Sequence, residues 1–370
     1  MAYTTIDKPS EHFNVTTWTA DDSSPRSLTG FGHKPDFLFG GHRNSGSTNP
    51  NITDSSRGGN KNLTPATTAA EDSGSHGIIS SFDTDGITIT DGTNATYPRL
   101  YYNELDPFGS GGGEYVYWHW KANEGTTSSN TDGSITTTVQ ANTTAGFSIV
   151  LYTSASGAQT IGHGLGGKPD FYIIKKRNAA GDDWFVYHTE AGAGNKLRLS
   201  GTTAVESDTN IWQNTEPTST VAYLQNDGGG VNVSSGGVKD YVGYFFRNIK
   251  GYSKFGKFIG NNSSDGCTVF TGFKPRWLMV KNGTTSHANH DWIIFDSKRE
   301  RINLIDTFLK GNSGDAETTS GRNQVDFLSN GFKARSSYGD FNGGSGDNFY
   351  YAAFAEHPFV TSTGVPTTAK

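Results

Sequence analysis

Cysteine, methionine, long apolar runs and clustered positive charge are all scarce in this chain. The lone cysteine, Cys267, has no partner for an internal disulfide, so the fold is expected to stand without covalent staples. No apolar run reaches the 18 or so residues that a membrane-spanning helix needs, so no membrane insertion is expected. The opening MAYTTIDKPS lacks the basic and apolar regions of a secretory signal, and the expectation is a protein made in a cytoplasm and not exported. No run of Lys or Arg exceeds three residues and the net charge is −6, so no nucleic-acid footprint is visible.

What the chain has instead is glycine, 48 residues of it, with Ser, Thr and Asn, and aromatics at 12%. Thr, Tyr, Phe and Trp favour strands, while Gly and Asn favour the tight turns between them. Trp and Phe recur inside alternating segments and can fill a core, which excludes a disordered low-complexity chain. The expected class is all-β, with short loops and little helix.

Four landmarks recur three times in the same order, giving units of roughly 105 residues. The first is an opening strand at 13–19, 147–153 and 252–259. The second runs from Gly30 to Phe37 (GFGHKPDF), from Gly164 to Phe171 (GLGGKPDF) and from Gly272 to Trp277 (GFKPRW). Proline excludes helix there and belongs at the start of a strand, and the aromatic two residues on begins a buried face. The third is a strand at 183–188 (DWFVYH) and 291–296 (DWIIFD), degenerate in the first copy (NITDSSRGGNKNL). In the third copy 298–309 (KRERINLIDTFL) takes the place of the segment Asn195 to Leu199 (NKLRL) of the second and is the only plausible helix. The fourth is a hairpin signal, FDTDGITIT, LQNDGGGVNVS or FLSNGFKARS, followed by a closing strand, YVYWHW, YVGYFF or YYAAFAE. The pattern predicts three tandem β-sandwich, jelly-roll-like units at 1–121, 146–249 and 250–370, the last with a short polar tail. Residues 122–145 read as a Thr/Ser/Asn-rich linker with one added strand near 134–139.

No motif carries catalysis or a cofactor. GHGLGG at 162–167 leads into a proline-started strand, so no helix N-terminus follows to hold phosphate. Residues 251–257 fit the spacing of a nucleotide loop, but Phe258 stands where a Ser or Thr would hold Mg²⁺. The Asp83-Thr84-Asp85-Gly86 turn offers carboxylates to Ca²⁺, yet the other copies lack the second one, and a hairpin turn is the better reading. There is no G-x-S-x-G elbow and no HExxH. No enzyme, cofactor or metal is expected. His287 and His290 lie in a polar loop (HANHDW) and read as solvated, while Trp212 has no counterpart in the other copies. These three residues are the candidate surface contacts.

At these landmarks the chain resembles a family of repeat-containing virion proteins from marine tailed bacteriophages. The residues that carry the resemblance are MAYTTID, the triple Lys-Pro element, FDTDGITI, DGSITTTVQANTTAGFSIV, GYSKFG, FLSNGFKARSSYGDFN, and the closing YVYWHWKA and YYAAFAEHPF. It covers nearly the whole chain. It implies a tail-fibre-like or other structural component of a virion, assembled in the host cytoplasm, and it supplies no catalytic residues. The expected partners are other virion proteins and a bacterial surface glycan or receptor, and the expected assembly is a homotrimer. The alternatives are a capsid-decorating or tail-connecting protein and a glycan-degrading tailspike. Function is expected where the copies disagree, in the 91–114 loop, the Trp212 loop and the 284–291 loop.

Overall fold

A computed structural model describes residues 2–109, 112–225, 230–319 and 321–367, and the fold is all-β. Each unit opens with the same four-stranded antiparallel arrangement: opening, closing, Lys-Pro and fourth strand. In the first unit these are Phe13–Thr19, Glu114–Trp120, Phe37–His42 and Asn51–Asp54. In the second they are Phe147–Thr153, Asp240–Phe246, Phe171–Lys176 and Phe185–His188. In the third they are Ser253–Ile259, Asn348–Pro358, Phe273–Asn282 and Ile293–Asp296. The register is shared as well: Phe37 faces Trp120 and Asp54, Phe171 faces Phe246 and His188, and Trp277 faces Phe354 and Asp296.

A small sheet covers the outer face of each large one. The partners are Arg26–Thr29, Gly86–Thr90 and Ile78–Asp83 in the first unit, and Gln159–Gly162 with Val221–Leu224 in the second. The third unit uses Thr268–Phe270, Gly331–Ala334 and Val325–Leu328. The expected Asp-Gly and Asn-Gly hairpins close at Gly86 and Gly331. The corresponding turn of the second unit, at 226–228, lies outside the described residues.

The Lys-Pro element has a local cause in each copy. Gly30, Gly164 and Gly272 sit at φ +84°, +68° and +87°, a region open chiefly to glycine, and each turns a fully buried Phe31, Leu165 or Phe273 into a core. Asp36 then accepts from the backbone N–H of Ala122 at 2.8 Å, and Asp170 from that of Asn248 at 2.7 Å, both two residues past the closing aromatic. The third copy has Arg276 there, and the matching residue after Phe354 is Glu356, which pairs with it at 3.7 Å. A backbone cap has been exchanged for an ion pair at the same place. Pro275 lies within its strand at a bulge rather than ahead of it, where a missing N–H is tolerated.

The inner faces of the three large sheets meet. Alternation sends Tyr115, Tyr117 and His119 outward to the small sheet and Val116, Trp118 and Trp120 inward. One central core contains Phe13, Phe37 and Trp120 from the first unit, Phe147, Tyr244 and Phe246 from the second, and Phe255, Trp277 and Phe354 from the third. Ring centroids lie 4.4 Å apart for Phe37 and Tyr244, 5.3 Å for Phe171 and Phe255, and 5.0 Å for Phe13 and Phe354, so every unit touches both others. Each such aromatic pair adds about 0.5–1.5 kcal/mol beyond its burial. The long apolar strands are buried on both faces because the second face belongs to this shared core. The units therefore close into a ring with approximate threefold symmetry inside one chain.

Two sequence expectations change. Residues 122–145 carry two strands, Ser128–Asn130 and Thr137–Asn142, that extend the second unit's large sheet beside Phe147–Thr153. Gln140 also bonds to Asp36 at 2.7 Å and accepts from Ser55 and Ser56 of the first unit, so this segment is a stitch between units rather than a free linker. The expected helix at 298–309 is a turn followed by the strand Thr307–Lys310. The fully buried Arg299 side chain pins the turn, and the Glu300 carboxylate takes the N–H groups of Asp306 and Thr307 at 2.9 Å, which helix bonds would otherwise use.

Candidate functional site

The seams of the ring come first, because they fix what is left at its edges. At each seam a backbone N–H of one unit donates to a carbonyl of the next: Glu71 to Arg177 at 2.8 Å, Val205 to Gly283 at 3.0 Å, and Glu317 to Arg43 at 2.6 Å. Around these bonds, two seams hold buried ion clusters. Arg57 pairs with Asp54 at 2.5 Å and with Glu71 at 2.9 Å, and Glu71 pairs with Arg177 of the second unit. Arg299 pairs with Asp296 at 2.6 Å and with Glu317 at 2.7 Å, and Glu317 pairs with Arg43 of the first unit. Neighbouring units complete the aspartates: Tyr244 donates to Asp54 at 2.8 Å and the Trp118 indole to Asp296 at 3.0 Å. Burial alone pushes the Asp296 carboxyl up, but the Arg299 charge and these donors outweigh it and hold it below the usual range.

At the seam between the second and third units, His188, Ala191, Val205 and Gly283 stand in the four places. His188 Nε2 lies 3.2 Å from the Tyr351 carbonyl and its Nδ1 accepts from the Glu190 N–H at 3.2 Å, which fixes a neutral ring with its proton on Nε2. Burial depresses its pKa to about 4. Lys175 and Lys281 are a second matched pair. Each is buried in its Lys-Pro strand and donates to the carbonyl two residues before the Trp of the fourth strand, Asp182 and His290 respectively. Burial pulls both down to about 8. These groups hold the fold together and face no open space.

The candidate contacts fare differently. Trp212 is fully buried, its indole donates to the Asn195 carbonyl at 2.9 Å, and it packs edge-on against Tyr172 at 4.9 Å. The expectation of an exposed contact is therefore corrected: an unmatched Trp fills the second unit's own sandwich. His290 is also buried, with Nδ1 2.8 Å from the Thr285 carbonyl, so it closes its loop and is not solvated. His287 is exposed, its ring centroid 5.2 Å from that of His290 and its plane tilted by 43°. Among the described residues no group of three or more His, Cys, Asp or Glu is placed to hold a metal. The Asp83–Gly86 turn is a hairpin, with Asp85 accepting from Gly30 and Gly32 N–H. In the 91–114 loop, of which 110 and 111 lie outside the described residues, Tyr102 is buried and bonds to Asn51, Asn62 and Thr53, whereas Leu105 and Phe108 are exposed.

Beside the 284–291 loop lies a cleft of about 250 Å³ lined by Asn289, Phe308, Lys310, Thr318, Arg322 and Asp340. The sandwich edge positions it. Phe308 and Lys310 come from Thr307–Lys310 and Thr318 from the outermost strand, Thr318–Thr319. The opposite wall is held by Asn282, which donates to the Gly339 carbonyl at 2.7 Å. Lys310 is shared between Asp291 at 2.9 Å and Asp315 at 2.6 Å, and these carboxylates outweigh its burial and raise its pKa. Arg322 lies 4.8 Å over the exposed Tyr338 ring and 3.5 Å from Asp340. Asp340 is 4% exposed; its Oδ2 accepts from Asn323 at 2.8 Å, and its Oδ1 has no hydrogen-bond partner. Sequence reasoning marked the 284–291 loop but missed the other wall, because these residues come from separate segments without a motif.

Residues 8–358 match the family described as a domain of unknown function (DUF7483). No curated protein and no solved structure matches the chain.

Proposed function

The chain belongs to the DUF7483 family over almost all its length, and from that premise we propose that it is a structural component of a bacteriophage virion. In this reading it is an appendage or tail-fibre subunit that contacts the host surface and does not act as an enzyme. The observation that carries the reading is the closed ring: the three inner faces are used up on one another, leaving the loops and outer edges of the units as the surface open to partners. Binding residues concentrate in loops held by a rigid scaffold. The resemblance to virion proteins supplies the setting, with assembly in the host cytoplasm. Its partners are other virion proteins and a bacterial surface glycan or receptor. The proposed assembly is a homotrimer joined through the outer edges.

The internal threefold also favours a second reading, in which one copy seats on a threefold position of the capsid shell. Imaging of particles with a gold-labelled antibody separates the two. Label on the tail or its fibres is the expected result; label on the shell supports the second reading and removes the first. Particles that carry no label at all overturn both. Incubation with host polysaccharide is expected to release no oligosaccharide, and release would overturn the non-enzymatic role.

A further inference from the structure

We propose that the edge of the third unit's opening strand, at Lys257 and Ile259, takes an added β-strand from another protein, an extended segment with a carboxylate opposite Lys257. This goes beyond the virion role and does not depend on it. The three opening strands are equivalent, since Phe13, Phe147 and Ser253 face the matched residues Trp120, Phe246 and Phe354. In the second unit the large sheet continues past that strand: Thr137–Asn142 runs antiparallel beside it, and Thr138 faces Leu151. In the first and third units the opening strand is the last of its large sheet among the described residues. Lys257 holds the place of Leu151, so the chain itself shows, in its second unit, what the third unit's edge accepts.

Hydrogen bonds at the two ends of the strand fix which groups point outward. The Ala355 N–H donates to the Tyr252 carbonyl and the Gly260 N–H to the Asp347 carbonyl, both at 2.8 Å. With no bulge between them, even-numbered residues bond to the closing strand and odd-numbered ones point away from it. Of the odd ones, Ser253 bonds to Ile249, and the Phe255 N–H donates to the Asn248 side chain at 2.7 Å. The N–H and C=O groups of Lys257 and Ile259 bond to no described residue, and both residues are exposed, Ile259 by 61%. Such a row is a template for a further strand. The second unit draws its added strand from residues 121–146, whereas only 247–252 lead into Ser253, and they are spent on the turn that joins Ile249 to Ser253. Charge then selects the occupant. Lys257 lies 4.0 Å from Glu190, an exposed and weak pair that leaves its ammonium open to a second carboxylate. Opposite charges across a strand pair stabilise it and like charges do the reverse. Twofold pairing with a second copy would set Lys257 against Lys257 or against Ile259 in the registers that use both residues, and neither is a match. An acidic residue flanked by β-branched ones is.

The test is amide NMR on the full chain with three end-blocked peptides, TVTETVT, TVTKTVT and TVTPTVT. Paired antiparallel with its centre at Lys257, the first sets Glu opposite Lys257 and Val opposite Ile259. The amide signals of Lys257 and Ile259 are expected to move saturably with TVTETVT, with Kd on the order of 1 mM for so short a strand. TVTKTVT, which opposes like charges, and TVTPTVT, which lacks the central N–H, are expected to bind roughly fivefold or more weakly. Lys257→Glu changes an exposed side chain on an edge, so the fold stands, and it should exchange the order of the Glu and Lys peptides. Signals of Lys257 and Ile259 that stay still with TVTETVT overturn the proposal. So do three peptides that bind alike, or an order that Lys257→Glu leaves unchanged. Signals of these two residues that move with protein concentration alone make a second copy the occupant and overturn the choice of partner.

Discussion

The seam between the third and first units and the seam between the second and third occupy equivalent places in the ring but are made of different chemistry. The first is Asp296, Arg299, Glu317 and Arg43; the second is His188, Ala191, Val205 and Gly283. The backbone bond that joins neighbours is the same in both. Geometry is therefore set by the strands and their shared register, and the side chains need only satisfy one another. Gly283 shows how: the Tyr350 ring, with the Val205 side chain beside it, fills the space where an arginine would leave residue 283. A buried cluster is not required for the joint, in line with the finding that buried ion pairs contribute little net stability over apolar packing. Breaking one is another matter.

The largest contrast should come from Arg299→Met. It leaves Asp296 and Glu317 buried without their main partner and should cost about 3–5 kcal/mol. His188→Gln, which keeps a donor for the Tyr351 carbonyl, should cost under about 1 kcal/mol at neutral pH. Urea unfolding at pH 7.5 measures both, and equal losses would break the comparison. Acid should separate the seams next. His188 has a folded pKa of about 4 against 6.5, so the unfolded chain takes up a proton first as pH falls. Its contribution is full above pH 6.5 and is lost progressively toward pH 4, a change on the order of 3 kcal/mol. Asp296 is held below its usual 3.8, so the ionic seam keeps its contribution until pH falls past that value. His33, His42 and His163 are also held near 4 by burial, so His188→Gln should remove only its own share of the slope between pH 6.5 and 4. A slope that His188→Gln leaves untouched would count against the neutral ring. An effect between those of Arg299→Met and His188→Gln concerns Trp292, whose indole donates to the Arg198 carbonyl at 2.8 Å across the apolar seam. Trp292→Phe should cost about 1–3 kcal/mol by leaving that carbonyl without its donor.

Much of each unit was legible in the sequence and the ring was not. The Lys-Pro elements, the Asp-Gly and Asn-Gly hairpins and the closing strands all declare themselves by local chemistry: a fixed φ, a left-handed glycine, an alternating face. Strand 147–153, apolar on both faces, announced that something covers its second side without saying what. The cover is the corresponding faces of the other two units, and no local pattern encodes that. The exchange of Asp54 and Arg57 for His188 and Ala191 hid the seams further, because matched positions stopped looking alike. Trp212 was misplaced for a related reason: a residue without counterparts is unique to its unit, and uniqueness says nothing about exposure. The 298–309 segment looked helical because its charges lie among its apolar residues, whereas Arg299 points into a seam and Ile302 into solvent. As for the cleft, its walls come from segments up to 51 residues apart (from Asn289 to Asp340), joined only by the folded edge.

Closure of the ring within one chain is the central claim, and the joint between the first and last units tests it. Gly46 lies against Ala316, with the position of a Cβ on residue 46 4.0 Å from the Ala316 nitrogen, beside the Glu317–Arg43 pair. Gly46→Cys with Ala316→Cys, in a chain whose Cys267 is changed to Ser, should therefore oxidise to a disulfide within a single chain of 39.8 kDa. The expected result is a faster-migrating monomer on a non-reducing gel, formed equally well at high dilution. Crosslinked dimers or trimers alone, or no crosslink in the folded protein, would mean that the first and third units do not meet within one chain.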